Sequence, residues 1–234
     1  MRGREVVTLR RDADPIVGEP VVQFRLYYEG PLFAAKGDAF DGQTDRRRAH
    51  KQAIRSAFHK QLQHFWNVHP ALSELNMPWG IFRMADQTTG GENSRKYTLA
   101  EGLASLNKIN GVSFVPLVCE RFSLLCDLHV LLLRRDKPGG ILQARDLDNR
   151  LKTLFDALRM PKNGLEMADV TIAADEDPMF VLLEDDSLIS SVSVETDELL
   201  DPPEESGKDD SYVRIVLNVK LHPYHVNMFN LSFA

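Results

Sequence analysis

The stretch QARDLDNRLKTLFDALRMP, residues 143–161, predicts an amphipathic helix that begins with two aspartates two positions apart. From Leu147 onward, apolar residues recur at intervals of three and four, which is the spacing of one helix face. They stand at positions 147, 151, 154, 155 and 158. This face must be the buried one, so the charged residues of the stretch lie on the opposite side.

The polar face of the same helix carries a row of charged residues. Asp148, Lys152 and Asp156 are four positions apart and therefore stack above one another, while Asp146 stands where the helix begins. An aspartate at a helix N-terminus accepts backbone N–H bonds and suits the helix dipole, which contributes ~1 kcal/mol. A second acid and a same-face lysine are also common on surface helices. The spacing alone therefore leaves a structural role and a metal site both open.

A second acidic pair, Asp185 and Asp186, stands between two apolar runs in LLEDDSLI. Such a pair ordinarily forms a type I turn, with Asp favoured at the first position. If the turn lies over the start of the 147–159 helix, three or four carboxylates converge, and their repulsion requires a bound cation. Mg²⁺ prefers oxygen ligands, with water and phosphate oxygens completing its octahedron. One or two such ions would activate water and neutralise charge on a phosphodiester.

The two motifs together resemble the core of a known nuclease family. RDLDNRLKTLFDAL, followed by a strand and EDDSLI, is similar to the central motif of RusA-type Holliday junction resolvases, which are dimeric Mg²⁺-dependent endonucleases that cleave four-way DNA junctions. The resemblance is close over residues 121–195 and looser over the final strand and the early strand and helix. It implies an α+β, RusA-like fold and a two-metal or one-metal carboxylate site.

The resemblance also assigns roles to individual residues. It implies that four carboxylates bind the metal, namely Asp146, Asp148, Asp185 and Asp186. Lys152 corresponds to the family's functional lysine, so the expected catalytic residues are Asp146, Asp148, Lys152 and Asp186. Arg145 corresponds to the basic residue that precedes the motif, and with Arg150 it is expected to contact DNA.

The charge distribution permits a nucleic-acid partner even though the net charge is -6. Residues 195–210, ETDELLDPPEESGKDD, hold eight acids and one lysine, whereas residues 46–60 hold six Arg or Lys and no acid. A basic patch in an acidic protein permits phosphate binding, although an ordinary solvated helix face has the same composition. We expect four residues of this patch to hold DNA phosphates: Arg46, Arg47, Arg48 and Lys51.

The remaining patterns predict one α+β domain over residues 1–234, with a mixed β-sheet packed against two main helices. Besides the helix described above, a helix is predicted from Arg46 to about Trp66. Residues 67–111 are interpreted as an insertion of loops or short helices, and residues 195–210 as an acidic flexible loop. Strands are predicted for VVQFRLYYEG, VSFVPLVCE, RFSLLCDLHVLLLRR, MFVLL, LISSVSVE and SYVRIVLNVKLHP.

These observations favour a Mg²⁺-dependent endonuclease, with Mn²⁺ able to substitute, that cleaves branched DNA such as Holliday junctions as a homodimer. The alternative is a non-catalytic nucleic-acid or protein-binding member of the same fold, in which the acids are structural. A phosphodiesterase acting on RNA or on flap structures would share the site. Because no apolar run approaches 18 residues and the N-terminus is charged, we expect no membrane span and a cytoplasmic location.

Overall fold

The computed structural model describes residues 7–10, 22–34, 44–73, 76–78, 96–135, 145–203, 211–230 and 233. In chain order its elements are β1 (Val7–Arg10), β2 (Val22–Pro31), α1 (Thr44–Val68), α2 (Pro70–Ser73), β3 (Asn76–Pro78), β4 (Lys96–Thr98), α3 (Leu99–Leu106), β5 (Lys108–Ile109), β6 (Val112–Val118), β7 (Leu124–Arg134), α4 (Arg145–Leu158), β8 (Met179–Leu183), β9 (Ile189–Glu198) and β10 (Tyr212–Pro223). The predicted α+β class is confirmed.

Five strands form a mixed sheet in the order β1–β9–β7–β10–β2. Strand β9 runs parallel to β7, and the other neighbouring pairs are antiparallel. The 11 residues of β7 alternate between buried and half-buried positions, as expected for a strand with one face in the core. The run RFSLLCDLHVLLLRR, predicted to be a strand, forms β7, which is the central strand of this sheet.

A second sheet has the order β5–β6–β8, and a separate hairpin pairs β3 with β4. All five residues of β8 are buried, and β8 runs parallel to β6. The described strands thus divide among three sheets, and the strands that the sequence predicted for one sheet lie in two of them. The reason is the turn at residues 184–188, which passes the chain from β8 in one sheet to β9 in the other.

One hydrophobic core joins the two sheets to the helices. Helix α1 buries Ile54, Phe58, Leu62 and Trp66, which are spaced by four and so lie on one face. Each such side chain contributes about 1.5–3 kcal/mol when it is fully buried. Gln61 of α1 also bonds to both backbone groups of Tyr27 on the edge strand β2, at 2.7 and 2.9 Å. Helix α1 therefore covers an otherwise unpaired strand edge.

The predicted insertion, 67–111, contributes to the core through its described residues. Helix α3 begins with a capping box in which Thr98 and Glu101 exchange side-chain and backbone hydrogen bonds. Leu99 and Leu103 of α3 are buried in the main core. Residues 74–75 and 79–95 lie outside the described residues.

The acidic tract predicted to be a flexible loop, 195–210, begins as regular structure. Its first four residues belong to β9, and Leu199 is buried and donates its N–H to the carbonyl of Arg134 at 2.7 Å. Residues 204–210 lie outside the described residues. Within the part of the chain that the structure covers, no helix combines the length and apolarity needed to cross a lipid bilayer.

Candidate phosphate-binding and metal-binding site

Helix α4 has the amphipathic arrangement that its sequence predicts. Leu154 and Leu158 are buried in the core, while Asp148 and Lys152 are exposed on the opposite side. Two of the predicted catalytic residues are therefore accessible to a ligand. Asp146 and Arg145 belong to the first turn of α4, and their side chains lie outside the described residues.

The Asp185–Asp186 pair forms the expected turn between two strands. Asp185 Oδ1 accepts the backbone N–H of Ser187 at 3.0 Å and caps the single 3-10 turn Asp186–Leu188. This bond from Ser187, together with the ammonium of Lys162, holds the pKa of Asp185 well below its usual range. The predicted turn is confirmed for Asp185. Its other oxygen, Oδ2, does not take part in the cap and can bind another group.

Lys162 bridges the two aspartates. Its Nζ lies 3.0 Å from Asp185 Oδ2 and 3.3 Å from Asp186 Oδ1, and the hydrogen bond to Asp185 is the main cause of the raised pKa of Lys162. The lysine side chain retains 48% of its exposure, so solvent weakens the bridge. The two carboxylates therefore direct oxygens toward one cationic point, and an ammonium group stands at that point.

Strand β8 and the residues after α4 fix the position of this acidic turn. Arg159 pairs with Leu183 in a parallel bridge, and the N–H of Met160 donates to the carbonyl of Leu183 at 2.9 Å. The turn is thus attached to the C-terminal end of α4, whereas Asp146 and Asp148 stand in its first turns. The 14 residues of α4 span ~21 Å at 1.5 Å per residue.

The described donor set fits a divalent ion in part. Mg²⁺ is commonly held by one or two carboxylates, with waters and substrate phosphates as its other ligands. Asp185 and Asp186 supply two converging oxygens, and an exposed, flexible Lys162 would have to leave for an ion to take its place. No three His, Cys, Asp or Glu side chains among the described residues are grouped so that they could hold a metal. The four-carboxylate site therefore stays a prediction.

A basic pocket of about 290 Å³ lies between α1 and the segment that follows α4. The side chains that give it charge are Arg47, Arg48, Lys51 and Arg55 of α1 and Glu166 of the segment. Positions 47, 51 and 55 are four residues apart and position 48 is three before 51, so the four residues lie on one side of the helix. Three of the four predicted phosphate-binding residues thus gather in one pocket. Arg46 is exposed and does not line it.

Arg55 is the buried member of this basic pocket, with 4% of its surface exposed. Its guanidinium donates to Gln52 Oε1 at 2.7 Å and to the backbone carbonyls of Asp156 and Arg159 at 3.2 and 3.3 Å. Burial, followed by repulsion from Arg159, lowers its pKa to about 10, so it stays charged at neutral pH. No carboxylate of the described chain forms a direct ion pair with it. Sequence reasoning missed Arg55, although the 51–55 spacing extends the basic face.

An ion-pair network holds the wall of the basic pocket in place. Asp156 of α4 accepts from Lys51 and from Arg159, each at 3.1 Å, and Arg159 also pairs with Glu166 at 3.1 Å. The Arg159 side chain is only 5% exposed, so these bonds act with little solvent screening. Asp156 therefore ties α1, α4 and the following segment together, a role that the sequence did not reveal.

The acidic turn and the basic pocket meet on the segment after α4. Lys162 contacts both aspartates of the turn, and the next residue, Asn163, lines the basic pocket. Adjacent Cα atoms are only ~3.8 Å apart. The segment that follows α4 thus contacts the carboxylate pair through one residue and lines the cationic pocket with the next.

Comparison with known proteins adds nothing to this geometry. No protein-family model matches the chain, and no curated protein or solved structure matches it significantly. The interpretation of the site therefore depends on the residues themselves and on the motif resemblance.

Proposed function

We propose that the protein is a Mg²⁺-dependent endonuclease that cleaves branched DNA such as Holliday junctions. The observation that supports this best is the adjacency just described, of the basic pocket and the Asp185–Asp186 pair. Endonucleases that hydrolyse phosphodiesters need both parts: cations that hold the DNA backbone and carboxylates that hold a metal. The motif resemblance also assigns these carboxylates and α4 to metal-dependent cleavage of a phosphodiester.

Each residue has a defined task in this proposal. Arg47, Arg48 and Lys51 bind phosphates that flank the cleaved bond and set the register of the strand. Asp185 and Asp186 would hold the metal after Lys162 moves aside. Asp146 and Asp148 stand at the opposite end of α4, so a metal bound by them would be a separate ion. The metal, when bound, polarises the scissile phosphate and activates a water molecule.

The exposed Lys152 completes the proposed site. It stands one helical turn beyond Asp148, on the same polar face of α4, so its ammonium can contact a phosphate bound near that aspartate. A homodimer would place two such sites around a two-fold axis and allow paired cuts across a four-way junction.

A cleavage assay tests the proposal. A synthetic four-way junction, a matched linear duplex and a single strand are incubated with Mg²⁺, with Mn²⁺ and with EDTA, using wild-type protein and the Asp148→Asn and Lys152→Met variants. We expect paired cuts in the junction alone, which EDTA and Asp148→Asn abolish. Cutting that persists in EDTA, or equal cutting by Asp148→Asn, would refute the metal-dependent mechanism. Cutting of an RNA or flap substrate in preference to the junction would reassign the substrate.

A second candidate is a non-catalytic nucleic-acid-binding module of the same fold. The bridge from Lys162 to both aspartates favours it, because an ammonium already offsets half of the charge of these carboxylates. In that case Mg²⁺ leaves the melting temperature unchanged, Asp148→Asn changes neither stability nor binding, and the junction is bound without being cut.

A further inference from the structure

We infer that the basic pocket is a discrete site for one phosphate group of a nucleic-acid strand, with Arg55 as its buried anchor. The inference deepens the proposed function and rests on it only for the source of the phosphate. It does not require that the protein cut DNA, because the residues of the pocket are separate from the carboxylates.

The charge of Arg55 is the first argument. A buried guanidinium is stable only when its charge is compensated, and removing a charge from water is costly otherwise. Arg55 is 4% exposed, yet its three hydrogen bonds all go to neutral acceptors. Asp156 and Glu166 stabilise this charge only from a distance, because both bind Arg159 directly. An anion in the adjoining pocket would add the direct ion pair that Arg55 lacks within the described residues.

The arrangement of charged side chains around the pocket is the second argument. Arg48 and Lys51 stand on the same helix face as Arg55 and line the same cavity, and each also pairs with an aspartate at 3.1 Å, Arg48 with Asp45 and Lys51 with Asp156. Glu166, an acid in the wall, is neutralised by Arg159 at 3.1 Å. Arginine presents a planar fork of donors that matches two phosphate oxygens, which makes phosphate the anion best suited to these side chains.

The position of the pocket indicates a nucleic-acid strand rather than a free ion as the source. Asn163 lines the pocket, and the residue before it, Lys162, contacts Asp185 and Asp186. A strand whose phosphate binds in the pocket would pass its neighbouring phosphates along this acidic turn. A free phosphate ion could bind in the pocket, but its binding would not involve the neighbouring Asp185–Asp186 pair.

The salt dependence of DNA binding provides the test. The affinity for a four-way junction is measured over a series of salt concentrations in EDTA, for wild type, Arg48→Gln, Lys51→Met and a control, Lys60→Met. Lys60 is exposed on the same helix and does not line the pocket. Each phosphate contact contributes about 0.9 to the slope of log affinity against log salt concentration. Because Arg48 and Lys51 share one phosphate, we expect each pocket variant to lower the slope by no more than about 0.9 and the control to keep the wild-type slope.

Two further arms make the outcome decisive. Melting temperatures show whether each variant is folded. If Lys51→Met is unstable, the test depends on Arg48→Gln, because this variant leaves the Lys51–Asp156 pair intact. Wild-type slopes in a folded Arg48→Gln overturn the inference. If inorganic phosphate raises the melting temperature of wild type but not of Arg48→Gln, while the slopes are equal, the pocket takes free phosphate and the nucleic-acid assignment is wrong.

Failure of this inference is distinguishable from failure of the proposed function. The salt slopes are measured in EDTA, where no metal-dependent cutting occurs, so they do not depend on whether the protein is a nuclease. Absence of cutting by the wild type, with reduced slopes in the pocket variants, would support the phosphate site and refute the nuclease. Cutting by the wild type, with unchanged slopes in the pocket variants, would support the nuclease and refute the phosphate site.

Discussion

Lys162 places its ammonium nitrogen 3.0 Å from Oδ2 of Asp185. The same ammonium reaches Asp186, so a single lysine offsets half of the negative charge of the pair that the sequence marks as metal ligands. A divalent ion and this lysine cannot occupy the same point. In the proposed nuclease, the lysine therefore acts as a counter-ion that the metal must displace.

Replacing this lysine should make the acidic pair a better metal site. In Lys162→Met the two carboxylates lose their common cation, so their repulsion increases and a divalent ion relieves it. We expect the Mg²⁺ concentration at half-maximal stabilisation to fall by about tenfold, which corresponds to ~1.4 kcal/mol. Thermal melts over a Mg²⁺ series measure it, with Lys60→Met as the control. An identical Mg²⁺ response in wild type and Lys162→Met would mean that this pair does not bind the ion.

Two aspartates of α4 should separate stability from activity. Asp156 joins Lys51 and Arg159 and keeps only 18% of its side-chain exposure, so Asp156→Asn should cost about 1–3 kcal/mol of unfolding free energy. Asp148 is exposed, and Asp148→Asn should change stability by about 0.5 kcal/mol or less while abolishing the proposed cleavage. Urea unfolding and junction cleavage measure the two effects. Equal stabilities of the two variants would show that the ion-pair network contributes little.

The sequence predicted those features that follow a regular period. The alternation of β7 and the three-and-four spacing of α4 are visible in the residues themselves, because each period reports one buried face. The bridging of Lys162 and the burial of Arg55 depend instead on the path of residues 159–166, which has no period. The sequence shows which residues are cations, but it does not show which side chains and carbonyls they bind.

The sheet arrangement shows the same limit. The runs MFVLL and LISSVSVE were recognisable as strands, and both strands exist as β8 and β9. Their membership of two different sheets depends on the turn at residues 184–188 and on long-range pairing with β6 and β7. A local pattern does not encode such pairing, since either strand could extend either sheet.

The apolar face of α4 should be a main source of its stability. Leu154 is fully buried, so Leu154→Ala removes apolar contacts and leaves a cavity that costs about 2–5 kcal/mol. Leu200 is 85% exposed, and Leu200→Ala provides a matched control that should change stability by about 0.5 kcal/mol or less. Chemical denaturation measures both. If the two substitutions cost the same, α4 does not pack as described.

Glu29 should make the stability of the sheet depend on acid pH. Its carboxylate accepts hydrogen bonds from Tyr212, Tyr27 and Arg214, which lower its pKa from 4.5 to about 2. Between these values Glu29 is protonated in the unfolded chain and ionised in the folded chain. Its contribution to stability is therefore fully present above pH 4.5 and is lost as the pH falls toward 2. Arg214 and both tyrosines remain protonated throughout this range, so the carboxylate alone titrates within the cluster.

A matched pair of glutamate substitutions tests this pH dependence. Glu29→Gln should lower the unfolding free energy at neutral pH and flatten its fall between pH 4.5 and 2, because the titrating group is gone. Glu198 is exposed on β9, and Glu198→Gln should retain the wild-type slope. Urea unfolding at several pH values in this window gives the slopes. A Glu29→Gln curve parallel to that of wild type would show that the hydrogen bonds to Glu29 do not favour its ionised form.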